Sequence, residues 1–293
     1  MKLTKIIDSG KFSLSFEVFP PKTEEDLASV REAATEIAEL GPSFVSVTYG
    51  AGGGARGKLT SEIAKAIKQS CGVETLAHLT CVASTEESIE KRLAEFKAAG
   101  VDNVLALRGD LPADGGAQGN SDRDFTHASD LIGKIRSSEY GFCVGAACYP
   151  EKHPESANKT EDVFYLKKKV DAGCEFLTTQ MFFDNDLFYN FLFRLRDAGV
   201  TVPVLAGIMP ITSAKQVERA IKLSGSFMPQ KFENLVDRFG SDPKAMKQAG
   251  IAYATEQIID LYANGVRNVH VYTMNKPDVA AKIKENLSDI LGK

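Results

Sequence analysis

VLAL at Val104–Leu107 and VLAGI at Val204–Ile208 carry no polar side chain at any position. A strand with one wet face alternates, whereas a strand that is apolar throughout is covered on both faces, as parallel strands between helices are. Working outward from these two runs, the same kind of segment recurs along the chain: Phe12–Phe19, Phe44–Tyr49, Thr75–Val82, Asn103–Arg108, Cys143–Tyr149, Phe176–Phe183, Val202–Ile208 and Asn268–Thr273. The stretches between them are helical in period. In Glu24–Leu40, Leu27, Val30, Ala34, Ile37 and Leu40 share one face and Gly41 stops the helix. Gly72, Gly100, Gly173, Gly199 and Gly265 are stops of the same kind.

Eight strand-helix units predict an α/β fold, a (β/α)8 TIM barrel, with an open doubly wound sheet as the alternative. The stretch Gly225–Gly265 holds two extra helices, Pro229–Phe239 and Pro243–Ala263, inserted before the last strand. No linker, repeat or low-complexity tract interrupts the pattern, so residues 1–293 are expected to be a single catalytic domain. Met1–Lys11 has only Ile6-Ile7 as an apolar pair, too short for a signal core, and is expected to be a lead-in to the first strand.

The 293 residues carry a formal charge of −4 with both signs scattered, which is no footprint for nucleic acid. No window approaches the roughly 18 consecutive apolar residues of a membrane span, so no membrane partner is expected. Five cysteines, odd in number and without a C-x-x-C, argue against a disulfide framework and a zinc ribbon and fit a reducing cytoplasm.

Several short motifs tempt and fail. Gly50, Gly52 and Ala55 satisfy a relaxed dinucleotide pattern, but the next strand ends His78-Leu79-Thr80-Cys81 without the acid that would hold a ribose. Gly52–Lys58 matches G-x-x-x-x-G-K, yet Leu59 stands where a hydroxyl should meet magnesium. His78 and Cys81 are three apart on a strand and point to opposite faces, so no metal site is expected. Arg108-Gly109-Asp110 ends a buried strand and reads as part of a barrel mouth.

In such a barrel the C-terminal strand ends converge on one mouth. The polar residues there are Glu17, Thr48-Tyr49, His78, Arg108-Gly109-Asp110, Tyr149 with His153, and Gln180. Each alone could be a paired or satisfied core group. Together they point to a site, because burying so many polar groups to no purpose costs free energy. Glu17, between Phe16 and Val18, is placed where desolvation favours a neutral acid able to donate a proton. Arg108 offers a fixed cation for phosphate, and Lys168 and Lys169 further charge for an anionic cofactor.

The blocks FEVFPPKT (Phe16–Thr23), FVSVTYGAGG (Phe44–Gly53), HLTC (His78–Cys81), LALRGDLP (Leu105–Pro112), YPEKHPES (Tyr149–Ser156), LKKKVDAG (Leu166–Gly173) and TQMFFD (Thr179–Asp184) together resemble the bacterial methylenetetrahydrofolate reductases. The resemblance runs in order over nearly the whole chain and implies a barrel that binds FAD. It also implies ping-pong hydride transfer from NADH or NADPH to 5,10-methylenetetrahydrofolate, both at one flavin face, giving 5-methyltetrahydrofolate for methionine biosynthesis. A homo-oligomer is the family precedent, and the eukaryotic regulatory extension is expected to be absent.

Carried over motif by motif, the resemblance makes Glu17 the general acid and Asp110 a neighbour of both flavin and pterin. Thr48, Tyr49, Ala51, His78, Arg108, Gly109, Ala128, Tyr149, His153, Ser156, Asp162, Lys168 and Lys169 would hold the cofactors. Gln180, Gln216 and Lys276 would bind substrate with Asp110. Ala220 and Lys276 stand where the family carries an aromatic residue and an arginine, and Tyr165 and Lys168 where it carries an asparagine and an arginine. A flavin barrel of the proline dehydrogenase kind, and a flavin-free pterin-binding methyl-transfer barrel, are the competing classes.

Overall fold

In the computed structural model, which describes residues 1–21, 23–49, 55–82, 84–110 and 124–292, eight parallel strands close on themselves in chain order. They are β1 (Ser13–Val18), β2 (Val45–Val47), β3 (Thr75–Thr80), β4 (Asn103–Leu107), β5 (Cys143–Cys148), β6 (Phe176–Thr179), β7 (Val204–Ile208) and β8 (Asn268–Tyr272). Pairing of β1 with β8 completes the ring and excludes the open sheet. The helices are α1 (Thr4–Ile7), α2 (Leu27–Glu39), α3 (Ala55–Cys71), α4 (Glu86–Ala98), α5 (Ala128–Ser137), α6 (Lys159–Asp171), α7 (Asn185–Asp197), α8 (Ala214–Ser224), α9 (Gln230–Phe239), α10 (Pro243–Ala263) and α11 (Pro277–Asn286).

Local chemistry sets where these helices start and stop. Asn158, Asp184 and Asp242 accept backbone N–H bonds at the starts of α6, α7 and α10, relieving donors that have no partner within the helix. The glycines expected as stops, Gly41, Gly72, Gly100, Gly173, Gly199 and Gly265, all have positive φ. Two helix starts differ from the sequence reading, and the strands are shorter than read, β6 ending at Thr179 instead of Phe183. Glu24–Asp26 is a 3-10 turn leading into α2, and Pro229 caps α9 from outside it, since a proline can open a helix but has no N–H to continue one.

Alternation along each strand makes two cores. Outward residues such as Phe16, Val45, Ala77, Val104, Val144, Leu177, Ala206 and Val269 pack under the helices, in the large core between sheet and helical ring. Inward, the lower part of the barrel is filled by Phe44, Leu76, Leu105, Cys143, Phe176 and Leu205. Leu3 and Ile7 close it from below, so the N-terminal segment is a short helix that plugs the barrel floor, beyond the simple lead-in expected. Leu3 N–H donates to Asn103 Oδ1 at 2.7 Å, and the Met1 ammonium bridges Asp102 at 2.8 Å and Glu74 at 2.9 Å. Gly145 makes room for the Phe176 ring, whose Cζ lies 2.3 Å from where a Cβ would be.

The inserted helices α9 and α10 do more than fill space. With α8 they build a third core of Met181, Phe183, Met209, Ile211, Ala220, Met228, Phe232, Met246 and Tyr253 beside the ends of β6 and β7. All five cysteines are free thiols. Among the described residues no helix is long and apolar enough to cross a membrane.

Candidate active site

A cavity of about 1590 Å³ opens at the C-terminal ends of the strands. It exceeds the roughly 300–1,000 Å³ of an ordinary small-molecule pocket and has room for a dinucleotide-sized group beside a second ligand. Its wall brings together Glu17, Thr48, Tyr49, His78, Arg108, Gly109, Asp110, Ala128, Tyr149, His153, Ser156, Asp162, Lys169, Gln180 and Gln216. Ala51 lies outside the described residues.

Two expected residues are elsewhere. Lys168 is not part of the cavity wall: its Nζ lies 4.6 Å from the Phe164 ring and 5.4 Å from the ring of Tyr165, which is in the wall, while its neighbour on α6, Lys169, takes the inward position. Lys276 is one step behind the wall: its Nζ donates to Thr212 Oγ1 at 2.7 Å, and Thr212 N and Oγ1 donate to Gln216 Oε1 at 2.7 and 3.0 Å.

Glu17 is set by the strand register. It pairs with Ser46 on one side and Tyr272 on the other, and all three side chains point inward. Its carboxylate lies 3.6 Å from His78 Nε2 and 3.6 Å from His270 Nε2, and no lysine or arginine among the described residues pairs with it. Burial pushes the His78 pKa down to about 4, outweighing the upward pull of Glu17, so His78 is a neutral ring at neutral pH. Burial, and secondarily Glu17, raise the Tyr272 phenol well above its ordinary value, and its O–H donates to Thr179 O.

The end of β8 is tied to the end of β1. Thr273 Oγ1 donates to Glu17 O at 2.6 Å, and Asn275 exchanges two side-chain bonds with the Phe19 backbone, both 2.9 Å. Met274 and Asn275 hold φ of 55° and 53°, left-handed backbone that non-glycine residues adopt only when neighbours impose it. The result aims Met274 into the cavity.

Across the mouth, the β5–α6 connection is braced from within. Asp162 Oδ1 accepts from His153 N and Ser156 Oγ, both at 3.1 Å, while Lys152 Nζ donates to the carbonyls of His153, Pro154 and Ser156. Glu155 N donates to His153 Nδ1 at 3.2 Å, which leaves the ring proton on Nε2 while the ring is neutral, and burial lowers the pKa of this histidine. Lys169 Nζ donates to Ala147 O at 2.8 Å, and burial lowers its pKa.

Arg108 forms a two-pronged pair with Glu155, both bonds 2.6 Å, which raises its pKa and lowers that of Glu155. The cation expected for a phosphate is therefore shared with a carboxylate that is itself 56% exposed and able to swing away. Gly109 turns with φ +89°, and a Cβ there would sit 2.7 Å from Val82 Cγ1, so the backbone reaches the cavity wall only because no side chain intervenes.

The wall suits a flavin dinucleotide. His78 Nε2 and Thr178 Oγ1 are buried with no hydrogen-bond partner among the described residues, and both belong to residues lining the cavity. Cationic Arg108 and Lys169 lie on the side where Tyr149 and His153 pack edge to face at 4.7 Å.

Comparison with known proteins agrees with this geometry. The family model for methylenetetrahydrofolate reductase matches residues 2–288. The chain belongs to the methylenetetrahydrofolate reductase family. Among its relatives, the 5,10-methylenetetrahydrofolate reductases of Pectobacterium carotovorum and of Escherichia coli K12 are each 33% identical over 95% of this chain and 91% of their own length. The maize methylenetetrahydrofolate reductase (NADH) 1 is 36% identical over 98% of this chain, which spans about half the length of that plant relative. A Clostridium thermocellum protein described as binding two copies of 5-methyl-5,6,7,8-tetrahydrofolic acid superposes with a TM-score of 0.65 over 100% of this chain and 99% of its own, at 15% identity, a likeness of fold.

Sequence reading missed Ser46 and His270, which touch the Glu17 carboxylate's surroundings from below, and Glu155, the partner of Arg108. It also missed Met181 and Met209, which line the cavity just past the ends of β6 and β7 and pack in the core that the inserted helices help to build. The inward alternation of β8, with His270 and Tyr272 two apart, is the signal that could have found the histidine.

Proposed function

We propose that residues 1–293 act as one catalytic unit that reduces 5,10-methylenetetrahydrofolate to 5-methyltetrahydrofolate, with NADH or NADPH as the hydride donor and Glu17 as the proton donor. The observation that carries this reading is the environment of Glu17: a carboxyl group at the cavity floor, flanked at 3.6 Å by imidazoles and, among the described residues, paired with no lysine or arginine. A carboxyl so placed faces the cavity without a bound cation, and the neutral His78 beside it supplies none.

FAD, when bound, supplies the hydride acceptor and donor that link the two substrates. Thr48, Tyr49, His78, Gly109, Ala128, Tyr149, His153 and Ser156 would hold it, with Arg108 and Lys169 meeting its phosphates once Glu155 gives way. Asp162 acts by holding the His153–Ser156 backbone in place. Lys168 is left out of this set, because its ammonium packs on the Phe164 and Tyr165 rings and is not part of the cavity wall.

Protonation at a folate ring nitrogen by Glu17 opens the methylene bridge toward the carbon that takes hydride. Asp110 and Gln180 orient the pterin. Gln216 contributes its amide with its oxygen already engaged by Thr212, and Lys276 acts through that threonine. The reaction is set in a reducing cytoplasm, where free thiols persist, and in a homo-oligomer.

The test is an anaerobic absorbance experiment on gently purified protein. NADH and NADPH are added to separate samples, and methylenetetrahydrofolate to whichever is reduced. Bleaching of a flavin band and its return with folate is the expected result, and the first step names the donor. A colourless protein that FAD does not reconstitute would sink the reading.

A further inference from the structure

Three strands round the barrel from Arg108, the first turns of α8 bring two polar side chains to the cavity wall, Gln216 and Arg219. Residues three apart on a helix are neighbours on its surface, so the amide and the guanidinium stand side by side. Arg219 is exposed and has no hydrogen-bond or ion-pair partner among the described residues. Other cations of the wall are already engaged: Arg108 faces Glu155, Arg92 faces Glu95, and Lys169 donates to Ala147 O. The proposed reaction gives Arg219 nothing to do.

The Gln216 amide has a fixed direction, which follows from a group that can only donate. Thr212 N–H reaches Gln216 Oε1 at 2.7 Å, so the amide oxygen and not its NH2 must face the threonine. Lys276 Nζ donates to Thr212 Oγ1 at 2.7 Å, and the threonine's own proton goes on to Gln216 Oε1 at 3.0 Å. With the oxygen held twice, the amide atom left over is Nε2, a donor without a partner among the described residues. The loop that carries Thr212 is itself clamped by the insertion. A Cβ on Gly250 of α10 would lie 1.7 Å from Ile211 O, so helix and loop meet backbone to backbone. Arg219 has only N–H donors to add. This stretch of wall therefore offers donors, one of them cationic, and is satisfied by a group that is anionic and accepts. One guanidinium beside one neutral amide suits a single carboxylate, whereas a pyrophosphate would call for a second cation.

We propose that Arg219 and Gln216 form a subsite for a carboxylate on the tail of the folate, with Thr212 as the residue that positions the amide as a donor. The inference rests on the folate reading of the cavity and adds to it what holds the ligand's acidic end. Arg219 stands in for Lys276, the cation expected at the substrate, whose ammonium is turned to Thr212 instead. The inserted helix α10 gains a role as well, since it holds the loop that holds the amide. With amide and loop fixed in advance, binding has little beyond the Arg219 side chain to order.

Calorimetric titration of the FAD-loaded, oxidised protein tests it with two probes: 5-methyltetrahydrofolate, and a 5-methyltetrahydropterin that lacks the aminobenzoyl-glutamate tail. Arg219→Gln is expected to weaken the folate on the order of tenfold and to flatten its loss of affinity with added salt, while the tailless pterin binds as in wild type. Arg219→Lys keeps the charge and should recover part of the loss. Gln216→Glu sets a carboxylate oxygen where an N–H was, so it should weaken the folate more than the uncharged Gln216→Met does. Thr212→Val should weaken it about threefold, with no further loss in the Gln216→Met background, because it acts only through the amide. A further loss there would remove Thr212 from the subsite. Folate affinity untouched by Arg219→Gln, an equal loss for the tailless pterin, or tighter folate binding by Gln216→Glu would each overturn the proposal. So would a raised KM for the reduced nicotinamide with folate binding unchanged, which would assign the pair to a phosphate. A wild-type protein that binds neither probe would refute the folate reading itself, and the subsite with it.

Discussion

The lower and upper halves of the barrel interior are built on the same strands and with the same alternation, yet they hold opposite chemistry. Below, Phe44, Leu76, Leu105, Phe176 and Leu205 meet under the plug of Leu3 and Ile7. Above, the next inward positions on four of these strands are Ser46, His78, Thr178 and Gly207, while β4 stays apolar with Leu107, and they are joined by Glu17, His270 and Tyr272. Moving two residues along a strand, about 6.6 Å, crosses from an apolar floor to the wall of the cavity. The difference teaches that the two demands on a barrel are separable along its axis, and that substitutions in the two halves should fail in different ways.

The largest expected effect lies in the upper half. Glu17→Gln keeps the shape and removes the proton, so folate reduction should fall about a thousandfold while flavin reduction by nicotinamide and the thermal midpoint stay close to wild type. Stopped-flow traces of the two half-reactions check it. Undiminished folate turnover would remove Glu17 from the mechanism and blur the division between the halves.

Next comes the lower half. Phe176→Ala opens a cavity beside Gly145 and should cost about 3 kcal/mol of unfolding free energy in urea titration, with the ratio of the two half-reaction rates unchanged in molecules that remain folded. A selective loss of folate reduction in this variant would show that the floor is not chemically silent.

The smallest effect joins stability to the site. His78 has a folded pKa of about 4 against 6.5 when exposed, so the unfolded chain binds the extra proton between those values. Its contribution is full above pH 6.5 and is lost as pH falls toward 4, amounting to about 2 kcal/mol by pH 5. Wild type should lose that much more than His78→Gln between pH 7 and pH 5. Parallel losses in the two proteins would place His78 in contact with water.

Much of the fold was legible before any coordinates. Continuous apolar runs such as Val104–Leu107 cannot be amphipathic elements, and their recurrence between helical periods left few architectures. The residues at strand ends were legible for the same reason, since Arg108 and Tyr149 break runs that are otherwise dry. Lys168 and Lys169 were not separable by pattern. Neighbours on a helix differ by about 100° in direction, and only the packing of α6 on β5 selects Lys169 for the inner face.

By itself, then, the sequence determined the repeating strand-helix units, the inserted helices and the identity of the polar groups at the mouth, because these depend on periodicity and local chemistry along the chain. Tertiary structure alone decided which of them meet. Ser15 and His270 are 255 positions apart and lie side by side only because the barrel closes β8 onto β1 in one register. The same closure sets Glu17 above the Ser46–His270 pair and lets Glu155 fold back on Arg108. Register and closure are properties of the whole ring, so no local stretch of residues could announce them.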